Sequence, residues 1–480
     1  ASQISLLSRV AVLVAGAICI GLCLFGIRGR MGYNPIKVSQ AYYCEDPFLN
    51  QLGVNPVFNL LTSTLDDNRK ENRTLHLMSE EDALSKVQKY LHRQGIDRLS
   101  PIARKVEREG TPNRRNVVLV FMESMSANLM GTFGSDKKLT PYLDSLYQQS
   151  LSFSHFYSSG IHTNHGIYST LYSFPAIMKR NAMKGSVIPV YSGLPTVLQE
   201  NGYCNLFFMT HESQYDNMNA FLRTNGFDEI YAQENYPSEK VVNSFGVQDD
   251  FMYQYALPIL NERAGTGNPF FSVLLSISNH PPYVIPPYFH PHSDVLEEQI
   301  VEYADWSIRQ FMQAAEKQPW FDNTIFVFLG DHGKMVGTPE CEMPQSYNHI
   351  PLMIYGKDIK PGVYDGFGGQ VDVSPTLLGL LNISYLQNNF GVNLLEEERP
   401  CMFFTADNLI GARDSVNMFI YSPDSQQEFK YKLEEGKLRA ATGTDEEAFR
   451  NLKDYCFSML QSTESLVKEH KTLDKVSVKK

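Results

Sequence analysis

Glu123, His280 and the pair Asp331-His332 each stand directly after an apolar run of strand length. An ionised carboxylate is costly to bury unpaired, so one placed where a buried strand stops either caps the next helix or binds something cationic. For Glu123 alone the two readings are balanced, and a lone histidine after a strand is ordinarily a satisfied structural residue. Three such endings in one chain argue for a shared site. A set of Glu, Asp and His donors is hard in character and suits Mn2+, Mg2+ or Zn2+. The stretch 158–175, Ser-Ser-Gly-Ile-His-Thr-Asn-His-Gly-Ile-Tyr-Ser-Thr-Leu-Tyr-Ser-Phe-Pro, adds a nucleophile. Thr163 stands at the start of a helix whose N-terminus would offer N–H groups to an anion. A threonine hydroxyl is a poor nucleophile at neutral pH, but metal coordination lowers its pKa and aims it. The plainer reading of Thr163 is an N-cap.

These residues need a scaffold that gathers strand ends. The run from Val117 to Met122 is apolar on both faces and rich in β-branched residues, as a strand buried inside a parallel sheet must be. Residues 324–330 and 271–277 repeat the pattern. Ligands of an open parallel sheet bind outside the carboxyl ends of its strands, so the three endings predict one edge and one site. From 114 to about 400, strands at 116–122, 203–209, 270–277, 324–329 and 352–355 alternate with helices near 141–150, after 163, near 216–224, and at 249–262, 297–315 and 374–382. This alternation predicts an α/β fold with a largely parallel sheet between helices. From 401 onward the pattern changes to short strands at 402–405, 417–421, 429–433 and 437–441, the last two joined across Glu435-Gly436. Thr444-Asp445-Glu446-Glu447 reads as a capping box opening a long helix to about His470. A small C-terminal antiparallel sheet plus helix follows.

Composition narrows the partners. With 43% hydrophobic and 20% charged residues the chain is no disordered polymer, and a net charge of −11 argues against nucleic acid as a partner. Residues 10–27 carry no charge over about 18 positions, which as a helix would cover roughly 27 Å of hydrocarbon. They predict one transmembrane helix. Arg28-Gly29-Arg30 follows in place of a small-residue cleavage site, against a secretory signal. Because the sequence starts at Ala1, it is expected to be the carboxyl-terminal part of a longer membrane protein with earlier spans. Arg28, Arg30 and Lys37 follow the span and only Arg9 precedes it, a count that by itself would keep the domain in the cytoplasm. Cys44, Cys204, Cys341, Cys401 and Cys456 are scattered, without Cys-x-x-Cys spacing, so a zinc cluster is not expected and one disulfide is possible. The resulting division is a membrane helix at 1–30, a connector wrapping the core at 31–113, a catalytic domain at 114–400 and an α+β subdomain with a tail at 401–480. Within the connector, 50–59 reads as turn-rich, and Ser79-Glu80-Glu81-Asp82 opens a helix to about Arg93.

Taken as an ordered set, the motifs resemble the lipoteichoic acid synthase-type phosphoglycerol transferases of the sulfatase and alkaline phosphatase superfamily. Asn116–Ser124 resembles that family's strand ending in a metal-binding Glu, and Leu139-Thr140-Pro141-Tyr142-Leu143-Asp144 its Thr-Pro-x-Leu-Asp helix start. Gly160 to Thr163 is similar to its nucleophile segment, and Ser244-Phe245-Gly246-Val247-Gln248-Asp249 falls where it has Trp-Gly followed by an acid. Ser278-Asn279-His280-Pro281-Pro282-Tyr283 resembles Asn-His-x-Pro-Phe, Gly330-Asp331-His332-Gly333 matches Gly-Asp-His-Gly, and Gln370-Val371-Asp372-Val373-Ser374-Pro375-Thr376 resembles its Asp-hydrophobic-x-Pro-Thr helix. The resemblance implies one Mn2+ (or Mg2+) held by Glu123, Thr163, Asp331 and His332, with His280 touching the phosphate and moving a proton. It implies two-step transfer from phosphatidylglycerol, or a similar phospholipid donor, through Thr163 to an envelope glycan or lipid. It also implies a cell-membrane protein whose catalytic domain is extracytoplasmic, behind several spans that would set its orientation.

The sequence departs from that family where a Trp-Asn-Arg holds the glycerophosphate group. Asp216-Asn217-Met218 stands there, so the bidentate cation is missing. Asp216 and Met218 are thus the substrate-binding positions by alignment. His211, Arg223, His162 and His165 are candidates to compensate, each against the plainer reading of an ordinary polar residue, and His349 is a further pocket candidate. Phosphoethanolamine transfer and phosphodiester hydrolysis are the nearest rival activities. A sulfatase proper needs a Cys/Ser-x-Pro-x-Arg segment, which is not found near Thr163. A catalytically inert membrane-anchored binding protein is the rival from another class, and the retention of all four metal-site positions speaks against it.

Overall fold

The computed structural model describes the chain apart from residues 1–4, 32–34, 45–46, 68, 70–71, 73, 186–187, 435–436, 442–445 and 476–480. The expected turn at Glu435-Gly436 and the Thr444-Asp445 half of the capping box lie outside the described residues. Across the main sheet the strands run in the order Gly362–Gly369, Leu151–Tyr157, Leu352–Tyr355, Thr324–Gly330, Asn116–Met122, Phe270–Leu275, Cys204–Met209 and Glu229–Tyr231. Neighbours are parallel except for the two pairings made by Leu352–Tyr355. The sheet is therefore mixed, with its parallel block where the sequence expects it.

Burial on both faces follows from the strand sequences. In Asn116–Met122, Val117, Leu119 and Phe121 enter one core while Val118, Val120 and Met122 enter the other. A strand with no polar face is stable only with helices on both sides. Three strands carry no apolar run and were not expected: Leu151–Tyr157, Glu229–Tyr231 and Gly362–Gly369. The first alternates Ser and His with aromatics, and the last holds four glycines, which have little strand preference of their own. Only pairing with a neighbour makes such segments strands.

Register places the functional loops. Met122 lies beside Gly330, and Phe121 beside Leu275. The chain therefore leaves the sheet at Glu123, at Asp331 and at Ser276 from adjacent strands at one level. Beyond the main sheet, Met402–Thr405, Ile410–Arg413, Asn417–Ser422, Gln427–Glu434 and Lys437–Ala440 form an antiparallel sheet of five strands, one more than the sequence suggested. The helix Glu446–Lys468 packs on it and on the helix Glu80–Tyr90, where Tyr90 and Tyr455 meet edge to face at 5.0 Å. Arg104–Val106 pairs antiparallel with Tyr385–Gln387, tying the connector to the core.

The turn-rich reading of 50–59 is corrected. Two helices, Pro47–Leu52 and Pro56–Asp67, occupy this region. Each begins with proline, which favours the first helical position, and Asn55 caps the second by accepting from the Val57 and Phe58 N–H groups at 3.0 Å. The helix Leu6–Arg28 has no buried residue and is long and apolar enough to cross a membrane. Among the described residues no disulfide joins any two of the seven cysteines.

Candidate metal and nucleophile site

Glu123 ends the central strand at 1% exposure, and a left-handed Ser124 (φ 51°) turns the chain immediately after it. Its N–H donates to Ser276 Oγ at 3.0 Å, which binds two strand ends together. Asp331 Oδ1 accepts the N–H groups of Ser124 at 2.8 Å and His332 at 2.7 Å. Its other oxygen, Oδ2, is buried with no hydrogen-bond partner. His332 Nδ1 lies 2.7 Å from the Gly333 carbonyl, so Nδ1 carries the proton and the Nε2 lone pair is left over. That Nε2 faces Asp331 Oδ2 at 3.5 Å and Glu123 Oε1 at 3.8 Å.

The donor set fits a cation. Ligand atoms of Glu123, Asp331 and His332 all lie within 4.8 Å of one another, in a buried place, with an orphaned carboxylate oxygen among them. Burial, and next the Asp331 carboxylate, push the Glu123 carboxyl well above the usual range. Two facing carboxylates and an imidazole lone pair in low dielectric repel unless a positive charge sits between them.

Thr163 begins the helix Thr163–Tyr172, and its hydroxyl donates to Glu123 Oε2 at 3.3 Å. Thr163 is half-buried while the helix behind it is buried throughout. Gly166 makes the approach possible: a Cβ there would come within 2.3 Å of the Asp331 carbonyl oxygen. Gly166→Ala is expected to push the helix away from Asp331 and to lower turnover by about a hundredfold, as a misplacement of about 1 Å can. Melting temperature and turnover would be measured together, and wild-type turnover in a folded variant would refute the packing argument.

His280 lies beside this cluster. Its Nδ1 is 2.6 Å from the Pro281 carbonyl, which leaves Nε2 as the exchangeable position, and its ring packs against Phe245 at 4.2 Å. Burial holds its pKa below the ordinary value. The Asp216 carboxylate accepts from Asn164 Nδ2 at 3.1 Å and pairs with Lys184 at 3.3 Å. Burial would raise its pKa, but Lys184 and Asn164 outweigh burial and hold it below the usual range. His162 stands at the N-cap position of the Thr163 helix without a side-chain capping bond and meets Asp407 at 2.6 Å, in the turn between Met402–Thr405 and Ile410–Arg413.

Other expected site residues are placed elsewhere. Met218 is fully buried in the core with Phe221 and Leu222, so it presents nothing to a ligand. His349 is engaged in packing, with Nε2 at 2.9 Å from the Ser154 carbonyl and its ring stacked on Tyr157 at 5.3 Å. Arg223 donates to Asn219 at 3.0 Å on its own helix. His211 is buried, bonded through Nδ1 to the Glu212 carbonyl at 3.0 Å, with Nε2 unpartnered. Burial lowers His211 to about 4 and His165 to about 3. Their folded pKa values lie below the unfolded value near 6.5, so the unfolded chain binds the extra protons. Stability is therefore full above pH 6.5 and falls as pH drops toward 4, by up to about 1.4 kcal/mol per pH unit for each histidine. Denaturant unfolding at pH 7 and pH 5 measures this; equal stabilities would contradict it.

Four supporting residues carried no role in the sequence. Asn279 Nδ2 donates to the Glu123 carbonyl at 3.0 Å and its Oδ1 accepts from Lys334 at 2.6 Å. Burial lowers the Lys334 amine to about 8, within reach of Glu123. Asp249 accepts the Ile277 and Ser278 N–H groups at 2.9 and 3.1 Å and so shapes the loop to His280. Gln370 donates to the Asp331 carbonyl at 2.7 Å and accepts from the Ser159 N–H at 2.9 Å, joining the nucleophile segment to the Asp331 loop. Their signal was their position inside or next to the quoted motifs.

A family model described as Sulfatase matches residues 115–383, more than half of the chain, and the chain belongs to that family. Its α/β architecture is that of the alkaline phosphatase superfamily. Among curated proteins it is 25% identical over 362 residues to the lipoteichoic acid synthase-like YvgJ of Bacillus subtilis, covering 68% of this chain and 56% of that one. It is 24% identical over 400 residues to lipoteichoic acid synthase of Staphylococcus aureus, covering 73% and 58%. The chain thus spans about half the length of the curated relatives it matches. A solved alkaline phosphatase superfamily protein from Vibrio parahaemolyticus superposes with a TM-score of 0.74 at 26% identity, covering 82% of this chain and 97% of that one. The lipoteichoic acid synthase LtaP from Listeria monocytogenes gives 0.64 at 21% identity, covering 80% and 98%, a likeness of fold.

Proposed function

We propose that this protein is a membrane-anchored, metal-dependent transferase that moves a phosphoglycerol group from phosphatidylglycerol to a cell-envelope acceptor through a covalent intermediate on Thr163. The observation that carries the reading is the Thr163 hydroxyl, 3.3 Å from Glu123 and at a helix N-terminus, beside the orphaned Asp331 oxygen and the His332 lone pair. Glu123, Thr163, Asp331 and His332 would hold one divalent ion, Mn2+ or Mg2+. Such an ion acidifies a hydroxyl and takes up charge on phosphoryl oxygens.

The chain's own groups do the rest. The Thr163 hydroxyl passes its proton to the Glu123 carboxylate to which it donates, and Oγ forms a bond to phosphorus while the bond to the diacylglycerol oxygen breaks. His280 in its imidazolium form gives the Nε2 proton to that leaving oxygen, which departs as diacylglycerol, while Nδ1–H stays on the Pro281 carbonyl. In the second step an acceptor hydroxyl loses its proton to His280 Nε2, its oxygen bonds to phosphorus, and Thr163 Oγ leaves and takes its proton back from Glu123. The N–H groups at the start of the Thr163 helix and the Lys334 amine favour the negative charge that develops. The helix Leu6–Arg28 would anchor the domain on the extracytoplasmic face of the cell membrane.

Asp216 favours a second reading, phosphoethanolamine transfer, because a carboxylate next to Asn164 suits a cationic head group better than a glycerol. Intact-protein mass spectrometry of the full chain in detergent, incubated with Mn2+ and either phospholipid, separates the two. A glycerophosphate adduct supports the first and a phosphoethanolamine adduct the second. Absence of either from a metal-loaded protein would refute transfer and leave phosphodiester hydrolysis.

A further inference from the structure

The segment that follows the membrane helix is fastened to the edge of the candidate site. Arg30 pairs with Glu212, and the Lys37 N–H donates to Gln214 Oε1 at 3.1 Å. Lys37 Nζ lies 5.9 Å from the centre of the Tyr215 ring, and Asn219 Nδ2 donates to the Tyr42 carbonyl at 2.7 Å. The loop so gripped, 211–219, carries Asp216, whose partner Asn164 is the neighbour of Thr163. Few residues therefore separate the end of the span from the nucleophile.

Beside this junction lies a cavity of about 430 Å³, within the range of small-molecule sites. Ile36, Val38, Phe58 and Leu65 give it apolar walls, and Lys37 and Lys184 stand at it, Lys184 paired with Asp216 and Lys37 under the influence of Asp216 and Glu212. Burial, and next the like charge of Lys184, hold the Lys37 amine below the usual lysine range, a state that a bound anion would relieve. One wall is the helix Pro56–Asp67. Away from the cavity the helix exposes Val57, Leu60 and Leu61 to the extent of 60–66%, and Leu65, 69% exposed, stands at the edge between this stripe and the cavity. Their spacing is one helical stripe, a face a water-soluble surface has no use for and a bilayer interface would cover.

We propose that this cavity binds a glycerophospholipid drawn from the bilayer, its acyl region between Phe58, Ile36 and Val38 and its phosphate at Lys37 and Lys184, and that the donor lipid reaches Thr163 this way. The apolar stripe of the same helix lies in the membrane interface and opens the cavity toward the lipid. The inference rests on the transfer reading for its purpose, while the site itself is defined by the walls and the two amines.

The test uses the full chain in phosphatidylcholine nanodiscs containing a phosphatidylglycerol with a diazirine in its acyl chain. After illumination, labelled peptides are mapped by mass spectrometry. Label is expected on 36–38 and 56–65, equally in wild type and Thr163→Ala. It is expected to fall about tenfold there in Phe58→Asp/Leu65→Asp and in Lys37→Glu/Lys184→Glu, as loss of one or two apolar or charged contacts does. Label confined to 6–28 in wild type, or undiminished in both double variants, overturns the proposal. A wild type that labels the cavity but takes no adduct on Thr163 keeps the lipid site and loses the transferase reading. One that takes the adduct but labels only 6–28 does the reverse.

Discussion

Replacing Thr163 by alanine is expected to lower group transfer by roughly three to six orders of magnitude, as loss of a covalent nucleophile does. Melting temperature and metal content should stay close to wild type. The hydroxyl makes one hydrogen bond at 3.3 Å, and three other donors still surround the ion site. Thr163→Ser retains an oxygen at the same place and is expected to recover part of the rate. Transfer from a radiolabelled lipid and intact mass would be read on the same samples. A turnover in Thr163→Ala equal to wild type would end the covalent mechanism; a collapse of the fold would instead assign Thr163 to helix capping.

Asp331→Asn is expected to separate stability from metal binding. Asp331 Oδ1 already accepts two N–H groups, and an amide oxygen can take both over. The new NH2 would replace the orphaned Oδ2 and donate toward Glu123 or His332 Nε2. In metal-free protein this removes a carboxylate repulsion, so the variant should be more stable than wild type by about 1–2 kcal/mol. Wild type should gain about 2.7 kcal/mol at an Mn2+ concentration a hundredfold over its dissociation constant, and the variant little or nothing. Thermal melts with and without Mn2+, paired with metal analysis, decide the matter. Equal stabilisation of both proteins by Mn2+ would place the ion elsewhere.

Legibility followed chemistry unevenly. Strands buried on both faces were readable because nothing but a double-sided core explains Val-Val-Leu-Val-Phe-Met or Ile-Phe-Val-Phe-Leu. Leu151–Tyr157 and Gly362–Gly369 were not, since their strand character comes from pairing with each other along the sheet. The helices Pro47–Leu52 and Pro56–Asp67 were hidden behind Asn, Gly and Pro, residues that mark turns and helix starts equally well. Within the site, alignment put Met218 in the ligand's place, yet its helix turns that side chain into the core, and the turn before the helix brings Asp216 to Asn164 instead. His349 looked like a pocket residue from its place before a strand, and packing against Tyr157 and Ser154 occupies it.

By itself the sequence determined which residue types stand at the ends of buried strands, because hydrophobic burial and the cost of an unpaired charge act locally and leave a pattern in the chain. Only the tertiary structure decided that Glu123, Thr163, Asp331 and His332 share one space. That convergence depends on the register between parallel strands far apart in sequence, Met122 beside Gly330, and on the close contact of Gly166 with the Asp331 carbonyl. Which nitrogen of His332 is free was likewise decided by a folded contact, the Gly333 carbonyl. Partners of this kind are set by three-dimensional packing, which no local pattern of residues encodes.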